Sequence, residues 1–235
     1  MIGIPMITGS PFCSGARIRA AAVLLASALT LGAAIAQDRL HVEDLKVRAG
    51  AGDKAATRTL AEAYYLGRGG VRQNFVEAAR WYLRLARQGD ARAQTSIGLM
   101  YAHGYGVKQD LNEARRWWSF AAAQGDPGAQ YNLGVIYSQG DAAVRDDPQA
   151  LAWYEKAAAH GHVQAQMNLG MLYHEGRGTE KDPVRAYFWV RIAALNGDAV
   201  AAESLKTVSS GMSASQIAEA EAEAQQWIAN SRKSP

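Results

Sequence analysis

Residues 89–124 read GDARAQTSIGLMYAHGYGVKQDLNEARRWWSFAAAQ, and most of the chain is this stretch written again. A glycine leads each copy at positions 52, 89, 125, 161 and 197, followed by Asp53, Asp90, Asp126, His162 or Asp198. A near-constant period of this size marks a solenoid, in which each unit buries its apolar face only by stacking on its neighbours. Architecture is therefore the first thing the sequence decides, and most of its distinctive residues are expected to serve it.

Counting each leading glycine as zero, position +4 is Ala56, Ala93, Ala129, Ala165 and Ala201. Position +8 is Leu60, Ile97, Leu133, Leu169 and Leu205, and position +12 is Tyr64, Tyr101, Tyr137 and Tyr173. Spacing of four places these on one helical face. A small residue at +9 (Ala61, Gly98, Gly134, Gly170) would let another helix approach closely, and glycine inside a helix costs about 1 kcal/mol against alanine, so its recurrence implies a packing reason. The first helix stops at Gly67, Gly104, Gly140 and Gly176. A short loop then leads to Asn74, Asp110, Asp146 and Asp182, each a good N-cap. Glu77, Glu113 and Gln149 stand three residues later, as in a capping box, and the fourth unit has Pro183 at the first helical position instead. The second helix carries Ala78, Ala114, Ala150 and Ala186, then Trp81, Trp117, Trp153 and Trp189, and closes at the next glycine. These periodic tryptophans are expected in the core, while Trp118, whose equivalents are Tyr82, Tyr154 and Val190, is expected to be partly exposed.

The pattern A-Q-x-x-[IL]-G-x-x-Y-x-x-G-x-G-V in residues 93–107, followed by Asp110, Ala114, Trp117, Ala121, Ala122 and Gln124-Gly125, resembles the Sel1-like repeat, a relative of the tetratricopeptide repeat. The resemblance runs from Gly52 to about Leu205. Unit three departs from it by lacking the second loop glycine, and unit four has Thr179 where valine is usual. The resemblance implies an all-α, right-handed α/α superhelical solenoid whose concave surface holds other proteins. Exported bacterial members act in envelope signalling, exopolysaccharide control or host interaction. Cysteine-rich members have been described as β-lactam-hydrolysing. This chain has one cysteine, Cys13, and no Ser-x-x-Lys, so hydrolysis is not expected.

The repeats place units at residues 52–88, 89–124, 125–160 and 161–196, with a partial fifth at 197–208. Before them, residues 37–51 read as an N-terminal capping helix; after them, residues 212–230 read as a C-terminal one, started by Ser213-x-x-Gln216 and docking Ile217, Ala220, Ala224 and Trp227. Residues 1–36 hold Arg17 and Arg19, no acid, an Ala-rich apolar run and a final Ala34-Ile35-Ala36. That is the form of a secretory signal peptide, which predicts cleavage after Ala36, a periplasmic or secreted mature chain, and no integral membrane segment thereafter. The mature chain would lack cysteine and depend on packing alone.

The formal net charge of +3 falls closer to zero without Arg17 and Arg19, which leaves no electrostatic footprint for nucleic acid. No nucleophile motif or phosphate loop occurs, and the Gly-x-Gly pairs belong to repeat turns, so neither an enzyme nor a cofactor is expected. His160 and His162 are the histidines closest in sequence, and two ligands do not make a zinc site. The remaining signal is the first-helix face at +6, +10 and +13. It is too apolar for a solvated surface in units two to four and suggests a groove for a peptide or helix of an envelope protein. Its candidate residues are Leu99, Tyr131, Val135, Met167, Met171 and His174, with Tyr65 at the unit-one end. The alternative occupant of these side chains is the neighbouring first helix. An envelope polysaccharide or peptidoglycan binder would instead use Trp118, Tyr105 and Arg177.

Overall fold

The computed structural model of the chain describes residues 41–140 and 144–231. The export segment read over residues 1–36, Cys13 within it, the beginning of the N-terminal cap at 37–40, and loop residues 141–143 lie outside the described residues. The described residues form eleven helices and no strand. Helix α1 covers the described residues 41–50. It is followed by α2 (Lys54–Leu66), α3 (Phe75–Arg87), α4 (Ala91–His103), α5 (Leu111–Ala123), α6 (Pro127–Gln139) and α7 (Asp147–Ala159). The chain continues with α8 (Val163–Glu175), α9 (Pro183–Leu195), α10 (Ala199–Val208) and α11 (Ala214–Ser231).

Two compact units divide the chain between Asn74 and Phe75, inside the first repeat. In the first unit, α1 buries Val42, Leu45 and Ala49 at i, i+3 and i+7, and α2 buries Ala56, Leu60 and Ala61. Arg48 closes the turn between them with two bonds to Asp53 Oδ2, at 2.7 and 3.0 Å. In the second unit each helix packs on the next in chain order, from α3 to α10, and α11 packs on α9. Sequential antiparallel packing of this kind defines an α/α solenoid.

The residue after each leading glycine is the N-cap of the first helix. Asp90, Asp126 and Asp198 accept from the backbone N–H three residues on at 2.8–2.9 Å, and His162 Nδ1 does the same for Ala165 at 3.3 Å. The second helices begin differently from a capping box. Asp110 and Asp146 accept from the helix N–H groups, but their own backbone N–H groups donate to Tyr101 O and Tyr137 O of the preceding helix. With that donor taken, Glu113 turns to Arg116 at 2.9 Å, and the Gln149 amide donates to the Asp146 carboxylate at 2.7 Å. The +12 tyrosine carbonyl thereby ties the loop to the helix it follows. A reciprocal capping box does form at α11, where Ser213 N–H donates to Gln216 Oε1 and Gln216 N–H to Ser213 Oγ.

The core sits between first and second helices, at positions +4, +8 and +9 of the first. There Ala129, Ala165, Ile97, Leu133 and Leu169 are fully or almost fully buried. Against them the second helices present Trp118, Tyr154 and Val190, not the tryptophan one residue earlier. A Cβ added at Gly134 would lie 2.6 Å from the Tyr154 ring, one at Gly170 2.6 Å from Val190, and one at Gly98 inside contact distance of the Trp118 indole. The helical glycines therefore receive this residue. Trp118 is 5% exposed, not partly exposed as its lack of a tryptophan equivalent suggested, and its Nε1 donates to Thr95 O at 3.1 Å.

The repeating tryptophans meet the expectation of a core position only in part. A step of 100° per residue rotates them off the core face. Trp81, Trp153 and Trp189 are half-buried, the last two packed against the edges of core clusters, and Trp117 alone is buried. Cations of the same helix cover three of them: Arg84 lies 5.9 Å from the Trp81 ring centroid, Arg116 5.3 Å from that of Trp117, and Lys156 4.2 Å from that of Trp153.

A polar ladder joins successive repeats. Gln94, Gln130 and Gln166 are buried at +5, and each amide donates to the carbonyl of Ala86, Ala122 or Ala158 at the end of the preceding second helix. Each side-chain oxygen is met from its own repeat's second helix, by Gln124 at 2.8 Å, His160 at 3.1 Å or Asn196 at 3.1 Å. Because Gln130 Oε1 is the acceptor, His160 carries a proton on Nδ1.

Candidate functional site

The first-helix candidates fall into two classes. At +6, the side chains reach the N-cap of the next first helix. Thr95 Oγ1 donates to Asp126 Oδ1 at 2.9 Å, and the Tyr131 ring stacks on the His162 ring with centroids 4.4 Å apart. Neighbouring first helices thus hold one face of these residues. At +10, Leu99, Val135 and Met171 are half-buried apolar side chains lying against the core clusters, as is Met167 at +6. His174 is half-buried at +13, whereas its equivalent Ser138 is buried and hydrogen-bonded to Tyr154 OH at 2.9 Å. Leu99, Tyr131, Val135, Met167, Met171 and His174 are thus carried by three successive first helices, α4, α6 and α8, of one compact unit. Tyr65 lies on α2 in the other unit and is half-buried there.

A cleft of about 100 Å³ opens beside this face where repeats three and four meet, lined by Gln139, Asn168, Met171, Glu175 and Arg177 among others. Asn168 and its equivalent Asn132 sit at +7, half-buried, one step outward from the apolar stripe. The apolar pattern did not single them out, although their 36-residue spacing is visible in the sequence.

The polysaccharide candidates are engaged in the scaffold. Trp118 is buried as described. Tyr105 stacks between Phe75, at 5.0 Å, and His103, at 5.3 Å. Arg177 binds the Asp147 carboxylate through Nη2 at 2.6 Å and Nε at 3.2 Å, and also donates to Ser138 O at 2.8 Å. Hydrogen bonds from Arg177, then Arg145, hold Asp147 well below the ordinary carboxylate range, at about 2. Tyr105 and Arg177 occupy the same repeat position, and so do Phe75 and Asp147. The loop residue of one repeat therefore grips the start of the previous second helix, once by stacking and once by charge.

Among the described residues no group of three or more His, Cys, Asp or Glu side chains is arranged to hold a metal, and no helix is long and apolar enough to cross a membrane. His160 and His162 serve the ladder and an N-cap. Burial lowers the pKa of His162 and Asp126 opposes that shift; the ring faces Tyr131 and Asp126 of the preceding repeat. Its Nδ1 lone pair is the cap acceptor, and protonation removes that acceptor and sets a cation at a helix N-terminus. A folded-state pKa below the unfolded value means the unfolded chain binds the proton first. Stability from this group is therefore complete above pH 6.5 and is lost as pH falls below 6.5 toward the lowered folded value. His162→Asn keeps a cap acceptor without titrating. The melting temperatures of the two proteins are expected to diverge as pH is lowered from neutral, with the wild type falling further by the equivalent of about 1 kcal/mol, the worth of a cap. Parallel curves would rule out the cap as the titrating feature.

The helices and their ladder define an all-α solenoid of helix–loop–helix repeats. The chain belongs to the Sel1 repeat family: the Sel1 repeat model matches residues 55–90, 91–126, 127–162 and 163–198 in unbroken succession. A search of curated proteins returned no match. Among solved structures, the chain is similar to a protective antigen present in uropathogenic Escherichia coli strains, described as displaying an SLR fold, with 35% identity and a TM-score of 0.72 over 80% of this chain and 40% of that one. It is also similar to a Sel1 repeat protein from Oxalobacter formigenes, with 36% identity and a TM-score of 0.63 over 71% of this chain and 48% of that one. This chain thus spans less than half the length of either relative. Sel1 repeats are in general interaction scaffolds and not catalysts.

Proposed function

We propose that this protein is a non-enzymatic scaffold or regulator of the bacterial cell envelope that holds an apolar segment of another protein along its first-helix face. The observation that carries the reading is the row of half-buried apolar side chains Leu99, Val135 and Met171, one per repeat, where the outward face of a helix is ordinarily polar. Tyr131, Met167 and His174 flank that row, and methionines suit a surface that adapts to its ligand. The reading of residues 1–36 as a signal peptide supports an envelope location, and so does similarity to a protein described as a protective antigen.

A photoreactive residue at Leu99 is expected to cross-link the partner in intact cells, and one at Ser119, on an exposed second-helix position, is not. Val135→Glu and Met171→Glu are expected to abolish the cross-link at a stability cost of about 1 kcal/mol each, in keeping with half-buried sites. Loss of folding in both would identify the face as core and end the proposal. N-terminal sequencing of the protein from a periplasmic fraction is expected to begin at Gln37.

A further inference from the structure

The fourth repeat differs from the other three around the tryptophan of its second helix. Trp81, Trp117 and Trp153 each carry a cation of their own helix, supplied by Arg84, Arg116 and Lys156. Trp189 has none. The position of Arg84 and Lys156 is Ile192, and the position of Arg116 is Phe188. The cause is α11, which folds back onto α9. Ile192 is fully buried with Ala224 and Ile228, and Phe188 and Trp227 meet Trp189 edge-on at 5.0 and 6.0 Å.

The same packing builds a cleft of about 330 Å³ beside Trp189, between α7, α8, α9 and the near side of α11. Phe188 and Trp189 line it, with Glu155, Tyr173 and Arg185 grouped on one side and Glu223 contributed by α11. The first side is internally satisfied: Tyr173 OH donates to Glu155 Oε1 at 2.7 Å and accepts from Arg185 Nη1 at 3.0 Å. Glu223 is exposed and makes no hydrogen bond or ion pair among the described residues. Its neighbour Glu221, by contrast, is held by Arg191 at 2.7 Å.

We propose that this cleft binds a cationic side chain, an arginine or lysine of a protein partner, which meets the Trp189 ring and the Glu223 carboxylate. Three repeats show what this tryptophan position accepts; in the fourth, neither equivalent position carries a cation, the lining Arg185 is engaged by Tyr173, and Glu223 adds an unpaired carboxylate to the cleft. An aromatic ring and a carboxylate lining one cleft complement an ammonium or guanidinium group. A neutral group of the same shape gains neither term. None of the first-helix candidates Leu99, Tyr131, Val135, Met167, Met171 and His174 lines the cleft, so it stands whether or not that face takes a peptide.

The test uses the full chain labelled with nitrogen-15 and three probes: the acetyl, N-methylamide derivatives of arginine, lysine and citrulline. The Trp189 indole resonance, assigned by its loss in Trp189→Phe, is expected to shift saturably with arginine and lysine and not with citrulline. Glu223→Gln is expected to weaken binding at least threefold and Glu223→Lys, which supplies the cation from the chain itself, to abolish it. Both changes lie on an exposed position of α11, and unchanged melting temperatures will confirm that the fold is kept. Equal response to citrulline, indifference to Glu223→Gln, or no saturable shift with arginine each overturns the proposal. None of these outcomes bears on cross-linking from Leu99.

Discussion

Replacing Gly178 with alanine is expected to destabilise the protein by about 3 kcal/mol or more, against about 1–2 kcal/mol for the same change at Gly161. Both glycines hold positive φ, +75° and +82°, so both substitutions carry the left-handed cost of an L-residue. They differ in what the new methyl meets. At Gly161 nothing lies within 4 Å. At Gly178 the methyl would strike the Asp147 carbonyl group, with its carbon at 2.6 Å and Pro148 N at 2.8 Å. These are backbone atoms at the start of α7 and cannot rotate away. The clash also pushes the fourth loop off the helix that Arg177 grips, so the Arg177–Asp147 pair is lost with it. Melting curves of the two variants measure the difference directly. Equal losses would mean that the loop accommodates the methyl and that close approach between repeats three and four is not a requirement of the fold.

Gly106 shows why this contact was only half legible in the sequence. It makes the same approach to Phe75 in repeat two, and its recurrence as the second loop glycine, at 69, 106 and 178, is plain in the sequence. The target of the approach is another repeat's backbone, which no local pattern names. The helices themselves were legible because alanine, leucine and tyrosine at +4, +8 and +12 must share a face. Their caps were legible because aspartate recurs at most starts, with His162 and Asn74 as the exceptions in the repeats, although the tyrosine carbonyl that displaces the capping-box return bond belongs to the preceding helix.

The tryptophans were only partly legible for a physical reason. Size and periodicity argue for a core residue, but only rotation about the helix decides which of two adjacent aromatics points inward. Helical glycine at +9 was the better guide, since it marks where a second-helix side chain must enter. Likewise α9, PVRAYFWVRIAAL, has almost no polar face in its last two turns, a sign that some further helix covers it. The first-helix face was legible as too apolar, but Thr95 hydrogen-bonds to the next N-cap and Tyr131 stacks on it, which a single repeat cannot reveal. His160 and His162 stood out as departures, and their duties in ladder and cap appear only once the repeats are stacked.

The Gly98–Trp118 pair gives the sharpest test of that packing. Trp118→Ala is expected to cost about 3–5 kcal/mol, the price of emptying a buried tryptophan site together with its hydrogen bond to Thr95 O. A tryptophan on the surface as a ligand platform would cost well under about 1 kcal/mol. Gly98→Ala alone is expected to destabilise by about 1–3 kcal/mol, because its methyl collides with the indole, despite the gain of about 1 kcal/mol that alanine brings to a helix. With Trp118 already truncated, the collision is gone and the methyl enters the vacated space. There the same Gly98→Ala change is expected to reverse sign and restore about 1 kcal/mol. Denaturant titration of the four proteins gives the coupling, expected at about 2 kcal/mol or more, well above the scatter of about 0.5 kcal/mol for independent sites. Additive losses would place the indole elsewhere than over Gly98. They would also reopen the question of what the recurring helical glycine is for, since Gly134 over Tyr154 and Gly170 over Val190 rest on the same geometry.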